Sequence, residues 1–319
     1  MTSLLLWKEH LKVFYSKYSY GIRFLFRFLF ALCTFLSLNA NIGYMEKLKN
    51  PLVAVMASAF CAILPWGAIV FLSGCLMLAH IYAVSMEMAL ISLVLMLVVG
   101  ILYFGFKPGD SFLIVLTPLA FLFKIPYAIP LLVGLGGGLA SAIPVSCGVF
   151  IYYLLLYVKQ NAGVLTSEAS VDMVQKYSQI IKSVMFNQTM MVMIATCAVA
   201  IAVVYMIRRL SMDYAWTVAI VAGLVVELLV LFVGDFLFGV TVDAGQLVIS
   251  MVLSAVIAFV FDFFLFSVDY TRTEYVQFED DDYYYYVKAV PKMTVSTTDV
   301  KVKKISTRKR TARERNMNE

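Results

Sequence analysis

The run Tyr214–Gly234 is apolar and long enough to cross a bilayer as a helix, and a carboxyl group, Glu227, stands near its middle. A charge at bilayer depth costs roughly 2.5–3.5 kcal/mol on insertion scales, so such a group faces a bundle interior or a water-filled cavity, or keeps its proton. The chemistry on offer is proton or cation exchange within a membrane. Two further ionisable groups, His80 and Glu87, share one face if their segment is a continuous helix, and could then form a proton relay. Structural hydrogen bonds to neighbouring helices are the competing use of all three.

The remaining charges of the apolar region point elsewhere. Lys124 and Asp235 are placed to snorkel to membrane boundaries. Asp235 and Asp262 do not match the intramembrane aspartyl proteases: the chain reads Val233-Gly234-Asp235 where those enzymes carry a glycine two before the aspartate, and Asp262 lies near a helix end. Gly134-Leu135-Gly136-Gly137-Gly138 has phosphate-loop composition without the following Lys and Ser/Thr, so it reads as close helix packing or a re-entrant turn. The five cysteines, Cys33, Cys61, Cys75, Cys147 and Cys197, form no CxxC pair, and His10 and His80 are the only histidines. No metal site, cofactor or enzymatic activity is expected.

Composition gives the class. Of 319 residues 62% are hydrophobic and 14% charged, with a mean hydropathy of +0.88. Soluble domains run at about 45–50% apolar and about 25% charged. Between Pro51 and Val158 the only charges are Glu87, Lys107, Asp110 and Lys124, so the net charge of +5 belongs to the chain ends rather than to a nucleic-acid-binding face. The chain reads as an all-α polytopic membrane protein.

Elements follow from where the apolar runs break. Spans are expected near 22–43, 52–72, 86–106, 111–130, 138–158, 189–207, 214–234 and 246–268, about eight in all, with 73–85 too apolar for an ordinary loop. Pro65, Pro118, Pro126, Pro130 and Pro144, with Gly134, Gly136, Gly137 and Gly138, cut the half at 22–158 into pieces shorter than a span. Non-helical backbone at membrane depth survives only where protein buries it or it lines a polar cavity, which makes Pro65, Pro126, Pro130, Pro144, Gly136 and Gly137 pathway candidates. Under one common offset Pro65-Trp66, Leu78-Ala79 and Val84-Ser85 align with Pro126-Tyr127, Leu139-Ala140 and Val145-Ser146. Such a repeat is one way transporters surround a midplane site. The half at 189–268 is three regular spans, joined to the first by a polar, amphipathic connection at 159–188.

The ends carry the charge. Residues 1–21 hold Lys8, Lys12 and Lys17 among aromatic side chains and precede an uncleaved first span; a signal peptide ending near Ala40 fits the long aromatic basic region poorly. With the Arg208-Arg209 turn and the basic tail, this places both termini in the cytoplasm of a multi-pass cell-membrane protein and the 159–188 connection outside. Within 269–291, Thr273–Phe278 and Tyr283–Val290 are β-prone runs around Glu279-Asp280-Asp281-Asp282, read as a cytoplasmic β-hairpin that needs the bundle or a partner protein to be stable. The tail at 292–319 is expected to be disordered and drawn to anionic lipid headgroups through Lys301, Lys303, Lys304, Arg308, Lys309 and Arg310, with no nucleic acid involved. The hydrophobic layout is similar to that of bacterial permease subunits, a likeness of architecture that assigns no residue. Two functions follow: a transport protein or permease subunit centred on Glu227, or a noncatalytic scaffold that assembles a complex on its tail.

Overall fold

A computed structural model describes residues 2–166, 173–240, 243–266, 274–279 and 282–290. Apolar runs become helices, and several are bounded by a proline, a glycine or a capping side chain. The first is α1 (Thr2–Ile42), which leaves helical geometry at Tyr18 (φ −117°, ψ 25°), between the basic stretch and the first span. After the short α2 (Glu46–Lys49) comes α3 (Pro51–Ile63), where the Asn50 side chain accepts the Leu52 N–H at 3.0 Å and Pro51 takes the first position, whose N–H would be unpaired anyway.

The expected span at 52–72 is broken. Leu64 and Pro65 separate α3 from α4 (Trp66–Tyr82), and α4 absorbs most of the segment at 73–85. Ser85 caps α5 (Met86–Phe106), which matches the expected span. The expected span at 111–130 is broken too, into α6 (Ser111–Leu122) and α7 (Ala128–Gly136). Then α8 (Ala142–Thr166) runs past the expected end of its span. Among the described residues only Pro118 lies deep inside a helix; Pro65 caps α4, Pro126 precedes the cap of α7, and Pro130 and Pro144 sit in the first turns of α7 and α8. The prolines thus mark helix starts, where a missing donor costs nothing.

The second half places three long helices near the spans expected at 189–207, 214–234 and 246–268, while α8 extends into the expected connection at 159–188. Helix α9 (Met173–Met185) buries Ile180 and Val184, one turn apart. It is followed by α10 (Gln188–Arg208), capped by Asn187, then α11 (Ala215–Phe238) and α12 (Ala244–Phe266). Among the described residues six helical stretches are long and apolar enough to cross a membrane: His10–Ile42, Met86–Phe106, Leu139–Leu165, Tyr177–Arg208, Ala215–Phe238 and Ala244–Leu265. The chain therefore has multi-pass membrane architecture, with α3, α4 and α6 as shorter apolar helices between clear spans.

Close approach of backbones sets the helix registers, as is usual where lipid removes the hydrophobic drive and small residues let helices touch. A Cβ on Gly223 would lie 2.5 Å from Val204 Cγ2, and one on Gly234 would collide with Val192. As the α11 numbers rise the α10 numbers fall, so the two helices are antiparallel. Gly134 meets Val204 in the same way, at 2.6 Å from its Cβ, and Gly223 also meets Leu131 Cδ2 at 2.6 Å. Helix α7 is thereby wedged against both α10 and α11. Gly136 approaches the Phe261 ring of α12, which completes the seat of this half-helix.

Tyr15–Phe266 form one compact unit, and the hairpin belongs to a second. Strands β1 (Glu274–Glu279) and β2 (Tyr284–Ala289) pair antiparallel, with Val276 opposite Val287 and Phe278 opposite Tyr285, whose rings stack at 4.8 Å. Side chains alternate between the two faces, so Val276, Phe278, Tyr285 and Val287 share one. The basic residues Lys301, Lys303, Lys304, Arg308, Lys309 and Arg310 lie outside the described residues.

Candidate functional site

Helix α11 turns a narrow stripe inward: Ala219, Gly223, Glu227, Leu231 and Gly234 are all buried. These positions recur every three or four residues, one helical face. Glu227 has no solvent exposure, and neither oxygen of its carboxyl group has a hydrogen-bond partner. Most buried polar groups are paired, and an unpaired one costs about 1–3 kcal/mol. The sequence tolerates that cost at the centre of a span.

The registers identify what faces this carboxyl. Gly223 touches Leu131, so one turn along α11 and one turn back along α7 Glu227 stands level with Tyr127. Along α10, the contacts Gly234–Val192 and Gly223–Val204 bracket a level occupied by Cys197 and Ala200. Tyr127 and Cys197 are both within electrostatic range of the Glu227 carboxyl, and Tyr153 of α8 is within range of Tyr127 and Cys197. The phenol of Tyr127 and the thiol of Cys197 are almost wholly buried. Carboxyl, phenol and thiol thus lie at one level among four helices, about midway along α10 and α11. Tyr153 extends the group into an aromatic cluster with Tyr152 and Phe121, whose ring centroids are 4.7 Å (Phe121–Tyr152) and 5.3 Å (Tyr152–Tyr153) apart.

Tyr127 reaches that position because α6 stops. Lys124 takes the left-handed conformation (φ 60°), the Lys124 N–H donates to Phe121 O at 3.1 Å, and the Ile125 N–H reaches back to Ala120 O at 2.9 Å. This is the paired closure that ends many helices, usually with glycine in the left-handed place. The chain then turns through Pro126 into α7. The break delivers a phenol to the level of a buried carboxyl, at a helix start whose first N–H groups, of Ala128 and Ile129, donate to Ile125 O at 3.4 Å and Pro126 O at 3.2 Å.

The far end of α7 is pinned. Gly137 ends the helix, and its carbonyl accepts from Arg208 Nη2 at 2.6 Å. The same guanidinium lies over the rings of Tyr205 and Trp216, at 5.1 and 5.7 Å. A cation at a helix C-terminus also meets the favourable end of its dipole. Arg208, a positive charge at the end of a span, is therefore also a structural fastener between α7 and α10.

His80 and Glu87 are not brought together on one face. The helix bearing His80 ends at Tyr82 and Glu87 opens the next, so the continuous helix that a relay requires is absent. His80 is buried and used on both sides: Nε2 donates to Asn39 Oδ1 at 2.9 Å, and Nδ1 accepts the Met45 N–H at 3.2 Å. It ties the end of α1 and the α2 turn to α4. Glu87 accepts from the Ser85 hydroxyl within the cap of its own helix. Of the glycines, Gly136 and Gly137 serve packing and helix termination rather than a ligand cradle. Asp235 is exposed near the end of α11 and Lys124 is exposed at the α6 stop.

Sequence reasoning singled out Glu227 but not Tyr127 or Cys197. One signal was present: Tyr127 follows Pro126 as Trp66 follows Pro65, and both aromatic residues stand at the start of a helix after a break. The rest of the apparent repeat does not extend to structure, since Leu78-Ala79 is in α4 whereas Leu139-Ala140 lies in a 3-10 turn before α8. No cluster of metal-ligating side chains occurs among the described residues. Neither a protein family, nor a characterised protein, nor a solved structure matches this chain.

Proposed function

We propose that this chain is a membrane transport protein or permease subunit in which Glu227 is the proton- or cation-responsive group. The observation that carries the reading is the carboxyl of Glu227: central in a span, without solvent exposure, without a hydrogen-bond partner, and level with a helix break. An ionisable group held so expensively inside a membrane is a functional feature by default. Broken helices at bilayer depth are a common frame of transport sites. In this reading Tyr127 and Cys197 bound the site, gain or loss of a proton or cation at Glu227 changes the packing of α7 against α10 and α11, and the chain carries out no covalent chemistry.

Glu227→Gln keeps the shape and removes the charge. Loss of the cellular phenotype of a deletion strain's complementation at unchanged membrane abundance supports the reading, and full complementation removes its main support. The orientation proposed is that of a cell-membrane protein with both termini cytoplasmic. A thiol probe at Ser170 should then react from outside intact cells and one at Ser306 should not; the opposite pattern reverses the topology.

A scaffold role is the second reading, favoured by the hairpin. Val276, Phe278, Tyr285 and Val287 are exposed on one face of a two-stranded sheet, an arrangement marginal in water unless something covers it. In that reading a partner protein binds at 269–291 while the basic tail holds anionic headgroups. Deleting residues 269–319 separates the two: a scaffold loses its function and a transporter keeps its Glu227-dependent activity.

A further inference from the structure

A cavity of about 760 Å³ opens between α1, α4, α5, α6 and α8, away from the Glu227 cluster. Its floor is buried and apolar: Met77, Val99, Ile114, Leu119 and Leu155. Its rim is apolar and exposed, with Phe71, Leu97, Ile101 and Phe104, so it continues the surface that these spans turn toward lipid. Beside Ser37 and Cys75, three polar side chains of the lining are already engaged by backbone carbonyls. Thr34 and Ser73 donate to Phe30 O and Val70 O of their own helices, both at 2.8 Å, and the Tyr103 hydroxyl donates to Pro108 O.

Three glycines keep the space open. A Cβ on Gly67 or Gly100 would meet nothing within 4 Å, and one on Gly74 first meets Met96 Cε at 3.4 Å. None of these glycines is required by a positive φ, and their backbones do not approach another helix closely. Along α4 the lining runs from Gly67 to Leu78, about 16 Å at 1.5 Å per residue. One leaflet of a bilayer supplies about 15 Å of hydrocarbon, half of the roughly 30 Å core. The cavity is one acyl chain deep.

Its two ends differ in charge. Gly74 opposite Met96 places Gly67 level with Tyr103, because α4 and α5 are antiparallel. At that end Arg27 donates to Leu64 O at 3.1 Å and lies 5.6 Å over the Trp66 ring, and Lys107 ends α5 one turn beyond Tyr103. The nearby Asp110 accepts the Ser141 hydroxyl at 2.5 Å. Two cations and one hydrogen-bonded carboxylate flank that mouth. At the opposite end, past Leu78 and Leu93, α5 brings the Glu87 carboxylate, which accepts the Ser85 hydroxyl, and Lys159 donates to Asn41 Oδ1 at 2.9 Å, one turn beyond the lining residue Leu38.

We propose that this cavity is a binding site for one acyl chain of an anionic phospholipid, with the headgroup at the Arg27 and Lys107 end. The proposal does not depend on the role of Glu227.

The test uses the full chain in phosphatidylcholine vesicles containing phosphatidylglycerol, doped with phosphatidylglycerol bearing a diazirine in its acyl chain. After photolysis, adducts should concentrate on peptides containing Met77, Val99 and Ile114. Gly100→Phe, which places a ring in open space, should lower that labelling at least about tenfold, the equivalent of about two methylenes of lost chain burial. Labelling of the outward residues Val252 and Val256 of α12 should stay unchanged and serves as the internal control. Gly67→Leu repeats the test from the headgroup end should the first variant fail to accumulate. Uniform labelling of floor and outward residues, which is what a lipid shell alone gives, overturns the proposal. So does undiminished floor labelling in a folded glycine variant, or equal floor labelling by a phosphatidylcholine probe.

Discussion

Tyr127 and Glu227 stand level across the α7–α11 contact, in the same antiparallel register that seats Leu131 against Gly223 one turn away. A phenol from a helix break and a carboxyl from the middle of a span, a hundred residues apart in sequence, are brought together by two glycines, Gly134 and Gly223. The carboxyl is nonetheless left without a hydrogen bond.

The first prediction follows from that orphaned group. Glu227→Leu removes a buried polar group whose lack of partners costs about 1–3 kcal/mol, and replaces it with a side chain of similar reach. The purified variant should unfold at higher temperature in detergent than the native chain while failing in the functional assay that Glu227→Gln fails. A thermal shift downward for Glu227→Leu would show that the carboxyl is held by interactions that stabilise the fold.

Gly223 is the second. Adding a methyl group there drives a Cβ to 2.5 Å from Val204 and 2.6 Å from Leu131, so Gly223→Ala should destabilise by about 1–3 kcal/mol and push α11 away from both helices. Gly21→Ala, at a helical position with nothing within 4 Å, should instead gain about 0.5–1 kcal/mol of helix propensity. The contrast between the two, read by thermal unfolding, separates a packing glycine from an incidental one. Equal effects would remove the close α7–α10–α11 contact from the account.

Arg208→Lys tests the fastener. The substitution keeps the positive charge that orients the chain, so topology by thiol labelling should be unchanged. The lysine lacks the planar fork that reaches Gly137 O while lying over Tyr205 and Trp216. A loss of about 1.5–3 kcal/mol is expected, the range for hydrogen bonds to charged groups. A variant as stable as the native chain would reduce Arg208 to a topology signal.

Lys124→Gly should act in the opposite direction. A non-glycine residue in the left-handed region costs roughly 1–2 kcal/mol, and Lys124 is exposed at the α6 stop, where its side chain can be removed at little loss. The variant should melt later by an amount near the lower end of that range. A lower melting temperature would mean that the lysine side chain itself anchors the break.

Much of this arrangement can be read from the chain alone, for physical reasons that differ by element. The span at 86–106 coincides with α5 because Ser85 and Lys107 bound an apolar run free of prolines. The three later spans are legible for the same reason. Pro65 and Pro126 mark the breaks, since a missing N–H costs least where a helix begins. What local pattern could not supply was partnership. The burial of Glu227 is implied by its surroundings, but its neighbours Tyr127 and Cys197 are set by glycine contacts on three separate helices. His80 shows the converse: seven residues from Glu87 on paper, it is separated from it by a turn that a continuous apolar run conceals.

The half-helix α7 raises a question of timing during synthesis. It leaves the ribosome before α10, α11 and α12, the helices that flank it, have been translated. Nine residues cannot cross a bilayer, and the turn at Phe123–Tyr127 exposes backbone that lipid cannot solvate. Until α10 and α11 arrive, residues 111–136 must wait as a provisional single span or be shielded by the insertion machinery, then settle into the broken form when Arg208 reaches Gly137. Assembly of this protein is therefore expected to be late and concerted, with a nascent chain truncated before α10 sensitive to quality-control proteolysis in a way that one ending after α11 is not.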